Sequence, residues 1–302
     1  MKKSLFLKTL ICFSFFLNCE ITLANNKIIF AGDSWVYLPC IFGSFNKALK
    51  HSDLEQVEIL KCRPTSKAGM HAEQWLQSKE HAAVMKDLYQ DNNKEIKIIY
   101  LSLGGNDFIN YWNDSLNNEE ENVVFEKITN NIEQIVGVYN QLRPDIKILI
   151  SGYDYPRFTS TNKIAQYRKV FARMGEPLPQ NINQAIVRFS NMVSTLSNTN
   201  KNIFYIQHYG LMHYYIGISQ AQIAKGKTLA PDLISSLSEP NKVGGEIEHQ
   251  GDIKSYLSIL TISDAFHLSR YGFYKLAEHS FDVRIKHWLK SETANSNIET
   301  TE

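Results

Sequence analysis

The chain has 302 residues, of which 43% are hydrophobic and 12% aromatic, enough to bury a sizeable core and too apolar for a disordered protein. Its 32 basic and 31 acidic residues leave a net charge of +1, so charge selects neither nucleic acid nor an anionic surface as partner.

In chain order, the first element reads as an address. Lys2 and Lys3 precede an apolar run from Leu5 to Leu17, and Thr22-Leu23-Ala24 offers small residues for a signal peptidase. Residues 1–24 are therefore read as a signal peptide, the mature chain as starting near Asn25, and the protein as periplasmic or secreted. The run is shorter than the roughly 20 residues of a spanning helix, so no stable membrane anchor is predicted. Past the leader, Cys40 and Cys62 remain. In an oxidising compartment they are a possible disulfide or two separate buried thiols, and spacing does not choose between them.

Short β-rich runs then alternate with longer helical patterns. The strand candidates are Lys27–Ala31, Val57–Lys61, Ile96–Leu103, Ile146–Tyr153 and Asn202–Gln207. The third and fourth are almost continuously apolar, as strands covered on both faces are. Val124, Ile128, Ile132, Ile135 and Leu142 recur at helical spacing until Pro144 stops them, and weaker periodicity covers Ala72–Tyr89, Ile182–Leu196 and Tyr271–Leu289. The order is that of one doubly wound α/β domain over residues 25–290, with insertions near 154–179 and 210–263 and a polar tail at 291–302.

Three short motifs stand at ends of these elements. Gly32-Asp33-Ser34 follows the first strand, Gly104-Gly105-Asn106-Asp107 follows the third, and Asp264-Ala265-Phe266-His267 precedes the last helix. Each alone is an ordinary turn or cap. Together they place a hydroxyl, an amide and an Asp-x-x-His pair where open α/β sheets bind ligands, at the carboxyl ends of strands.

These motifs resemble blocks I, III and V of the SGNH hydrolases, the GDSL-like lipases and esterases. The resemblance implies a flavodoxin-like three-layer sandwich on a five-stranded parallel sheet, with Ser34 as nucleophile, His267 as base and Asp264 as the group that orients it. It also implies an oxyanion hole from the backbone N–H groups of Ser34 and Gly69 with the Asn106 amide. Gly69 is assigned because it is the only glycine between the second and third strands. Trp35 and Tyr37 depart from the residues many members carry after the serine, which leaves the acyl-side contacts open.

Trp35, Phe108, Tyr111, Trp112 and Tyr155 are candidate substrate-binding residues, and Tyr153, Tyr209, Tyr214 and Tyr215 fall at the same end. His208 and His213 lack a recognised ligand spacing, so no metal and no cofactor are predicted. Glu119-Glu120-Glu121 reads as a solvated helix start. The expected activity is hydrolysis of a carboxylic ester of a small molecule, lipid, lysophospholipid or acetylated glycan through an acyl-enzyme. The rival readings are an acyltransferase on the same site and a non-catalytic glycan- or lipid-binding protein.

Overall fold

The computed structural model describes residues 26–156, 165–198, 200–212, 256–257, 262–263 and 266–290. The leader and the polar tail of the sequence reading lie outside them, as does most of the second insertion.

Five parallel strands form one sheet: β1 (Lys27–Gly32), β2 (Glu58–Lys61), β3 (Ile96–Ser102), β4 (Lys147–Ser151) and β5 (Ile203–Ile206). Their spatial order is β2-β1-β3-β4-β5, the flavodoxin-like order that reverses direction between β1 and β3. All five runs expected from the sequence are present: β1 extends one residue further, to Gly32, and the other four are shorter by one or two residues at one or both ends.

Side chains alternate across a strand, and here both faces are apolar. One face carries Ile29, Ala31, Ile99, Leu101, Ile148 and Ile150. Over it pack α3 (Ala72–Trp75), α4 (Lys79–Gln90), α5 (Gly105–Tyr111), α6 (Asn118–Leu142) and α8 (Pro179–Ser194) through residues such as Trp75, Val84, Phe108, Ile132 and Phe189. The other face carries Ile28, Phe30, Ile98, Tyr100 and Leu149. It is covered by α1 (Ser34–Phe42), α2 (Ser44–His51) and α9 (Arg270–Ser280), the last continuing through a π-helical turn at Phe281–Ile285. In-register pairs such as Ile29 with Ile99, Ile99 with Ile148 and Ile148 with Ile203 make the sheet a continuous aliphatic slab.

Two local features depart from the sequence reading. The periodicity over 72–89 is broken at Leu76–Ser78, because the Ser78 side chain accepts from His81 N–H and starts a new helix. Glu121 is not solvated: it is buried at the start of α6, where it accepts from Trp112 Nε1 (2.8 Å) and pairs with Arg188. Glu120 caps the same helix reciprocally with Asn117.

Within the first insertion, the described part holds α7 (Ala165–Arg173). Cys40, on α1, and Cys62, just after β2, are joined by a disulfide with their Cα atoms 5.8 Å apart. Among the described residues no helix is long and apolar enough to cross a membrane.

Candidate active site

The site forms where β1 and β3 end, at the point of reversal. Gly32 closes β1 with φ +142°, and a Cβ there would lie 2.0 Å from the Ser102 carbonyl oxygen. Only glycine permits this approach. It lets Asp33 N–H donate to Ser102 O (2.9 Å) and turns the chain directly into α1.

Asp33 is the N-cap of α1, its carboxylate accepting from Trp35 N–H (2.9 Å). Ser34 is thereby the first residue of the helix, where its own N–H has no intrahelical acceptor and the helix dipole favours negative charge. The side chain is buried at 5% exposure, and its Oγ lies 2.6 Å from His267 Nε2, a contact across 233 residues of sequence. His267 is held in the short stretch before α9, which starts where Ser269 Oγ accepts from Gly272 N–H. Asp264, the expected orienting carboxylate, lies outside the described residues.

Besides Ser34, the donors expected for an oxyanion come from the loop after β2 and from the start of α5. Gly69 has φ +78°, a left-handed conformation open to glycine, in the loop after β2. Asn106 is the second residue of α5, and its Nδ2 donates to Met70 O (3.0 Å) and to Asp33 Oδ2 (3.3 Å). The Met70 bond fixes the amide beside the Gly69 loop. The bond to Asp33 is the longer of the two.

Two buried carboxylates organise this cluster, Asp33 and Asp107, to which sequence alone assigns only turn or cap roles. Asp33 accepts from Tyr153 Oη (2.8 Å) as well as from Asn106 and Trp35. Burial pushes its carboxyl up to about 7, against those bonds and the nearby His267 ring, which lower it. Tyr153 is pushed well above the usual phenol range by burial and by Asp33, so its hydroxyl stays a donor. Asp107 is fully buried, and its Oδ2 accepts from Ala72 N–H (2.8 Å), tying the start of α5 to the start of α3. Burial raises its carboxyl also, while the Ala72 N–H and His71 oppose the rise.

A cavity of about 390 Å³ opens beside Ser34, and Trp35, Gly69, Asn106, Phe108, Tyr153 and His267 are among its lining. Three of the aromatic residues expected there are elsewhere. Trp112 is buried, stacked on Phe108 and bonded to Glu121. Tyr111 turns toward α3 and α6, donating to Glu73 under the Lys127 ammonium. Tyr155 packs in the core against Tyr209.

His71, Glu73 and Asp107 are the group of three among the described residues whose ligand atoms approach closely enough to hold a metal ion, all within 4.8 Å. Glu73 already receives Tyr111 Oη and the Lys127 ammonium at 3.1 Å, so positive charge is supplied there by the protein. His208 is fully buried with Nδ1 3.2 Å from Ser151 Oγ and from Gly152 O, and Nε2 3.1 Å from Ser280 Oγ. Both ring nitrogens are engaged, burial pushes the ring down to about 4, and neither Ser151 nor His208 lines the cavity. His213 lies outside the described residues.

The family model of GDSL-like lipases and acylhydrolases matches residues 51–280, a span that includes Asn106 and His267 and begins after Ser34. No curated protein matches the chain. Similar solved structures include a family 3 carbohydrate esterase from Clostridium thermocellum, 15% identical over 89% of this chain and 98% of that one, with a TM-score of 0.45. Another is a carbohydrate acetylesterase from Sinorhizobium meliloti, at 11% identity, 87% and 99% coverage and a TM-score of 0.49. A lipase from a goat rumen metagenome is 13% identical, with 84% and 95% coverage and a TM-score of 0.48.

Proposed function

The chain belongs to the GDSL-like lipase/acylhydrolase family, and from that premise we propose that it is an exported serine esterase in which Ser34 is the nucleophile and His267 its base. The observation that carries this reading is the 2.6 Å contact between Ser34 Oγ and His267 Nε2. Serine is almost wholly protonated near neutral pH and needs such a partner to become nucleophilic.

As Oγ attacks the ester carbonyl, its proton passes to Nε2, and the carbonyl oxygen takes on negative charge. The N–H groups of Ser34 and Gly69 and the Asn106 amide are the donors assigned to that oxyanion. His267 then gives its proton to the leaving alcohol, leaving an acyl group on Ser34, and water repeats the sequence to release the acid. Asp264, three residues before His267, is assigned to the second ring nitrogen, where a carboxylate fixes the tautomer and stabilises the imidazolium.

Export is supported by the basic and apolar pattern of residues 1–24 and by the Cys40–Cys62 bond, which suits an oxidising compartment. The decisive test is steady-state hydrolysis of short and medium acyl esters by the mature chain and by Ser34→Ala. Turnover is expected in the first and nearly none in the second, with unchanged circular dichroism. Wild-type rates in Ser34→Ala would remove the assignment.

A further inference from the structure

The lining of the cavity beside Ser34 comprises two unlike sets of residues. Ser34, Asn106 and His267 form one. The other holds Phe108 and Ile109 from α5, Val170 from α7, and Ile182, Ile186 and Phe189 from α8. The α8 residues fall at i, i+4 and i+7, so a single stripe of that helix faces the cavity.

The other polar side chains of the lining are already bonded. Asp33 accepts from Trp35, Tyr153 and Asn106, and the Tyr153 hydroxyl spends its proton on Asp33. Asp154 accepts the N–H groups of Tyr155 and Gly210 on one oxygen and of Met212 on the other. Sugar recognition relies on polar groups placed to hydrogen-bond the sugar hydroxyls. Among the described residues, the side chains that α7 and α8 contribute to the lining offer none.

We propose that this cavity holds an unbranched aliphatic acyl chain, so that the preferred substrates are esters of medium-length fatty acids and not acetylated sugars. The proposal rests on Ser34 being the nucleophile, since that places the ester carbonyl at the polar residues of the lining. If each heavy atom takes the ~30 Å³ that a water molecule occupies in the liquid, a cavity of about 390 Å³ accommodates a chain of up to roughly twelve carbons with its carbonyl oxygen. An acetyl group leaves most of it unfilled. Each methylene buried in the transition state raises kcat/KM by about fourfold until the cavity is full.

The test is kcat/KM of the mature chain on p-nitrophenyl esters from acetate to palmitate, beside acetylated xylose and a second series of acetates with lengthening alcohols. The expected result is a rise of roughly a hundredfold or more from acetate to octanoate and a decline beyond about twelve carbons. Ile186→Trp and Val170→Phe, which obstruct the cavity from two different helices, should each lower the octanoate-to-acetate ratio at least tenfold. Labelling of each variant by a small fluorophosphonate reports whether it is folded and reactive. Equal rates on acetate and octanoate, faster turnover of acetylated xylose, or a rise that follows the alcohol series would overturn the acyl-chain proposal and leave the esterase reading standing. No turnover of any ester together with an unlabelled Ser34 would instead remove the reading on which it rests.

Discussion

The hydroxyl of Tyr153 donates to the carboxylate of Asp33 across 2.8 Å, beneath the residue assigned as nucleophile. Tyr153 comes from the end of β4 and Asp33 from the end of β1, so this bond joins two strands that are not neighbours in the sheet. It helps to hold a buried carboxylate that burial pushes up to about 7.

That rise has a stability consequence. The unfolded chain releases the Asp33 proton near the ordinary value of 3.8, and the folded chain retains it to about 7. Between those values the folded state binds more protons, so this group's contribution to stability falls as pH rises through the window. Asp33→Asn keeps a side-chain oxygen for the Trp35 N–H and removes the titration. Urea unfolding should show the variant gaining on wild type from pH 4 to pH 8, by at most about 4 kcal/mol. A constant difference across that range would contradict the assignment.

Asn106→Ala removes the amide assigned to the oxyanion. We expect kcat to fall by roughly 10² to 10³ with KM little changed. A change confined to KM would mean that Asn106 only positions substrate.

Asp107→Ala leaves the Ala72 N–H without its acceptor in the interior and frees the start of α3 from the start of α5. Stability should fall by about 1–3 kcal/mol in denaturant titrations. Because Gly69 lies just before α3 and Asn106 within α5, kcat per fluorophosphonate-titrated active site should fall as well, a loss that unfolding of part of the sample does not produce.

The Cys40–Cys62 bond closes a loop of 22 residues away from the cavity lining. Replacing both cysteines by serine should lower stability by about 3 kcal/mol, from the added freedom of the unfolded chain. Retained kcat on a short ester checks that the loss is confined to stability.

The strands were legible because an isoleucine-rich run buried on both faces carries a signal of its own, as at Ile96–Ser102 and Lys147–Ser151. The positions of Ser34, Asn106 and His267 were legible because each stands where an element begins or ends. Asp33 and Asp107 were not. Aspartate is common in turns and caps, and nothing in a single sequence distinguishes a solvated one from one buried under a tyrosine or against another helix. Tyr111 and Trp112 were misplaced for a related reason: aromatic composition marks the end of the sheet, whereas helix phase decides which ring faces the cavity, and Glu73 and Glu121 draw these two away.

Every step proposed for this site depends on activation of the Ser34 hydroxyl by the His267 ring. Fluorophosphonate labelling followed by peptide mass spectrometry tests it most directly, in wild type and in His267→Ala. Wild type should carry a single adduct on Ser34, and labelling should be at least a hundredfold slower in the variant. An adduct on another serine, or equal labelling rates in the two proteins, would contradict it.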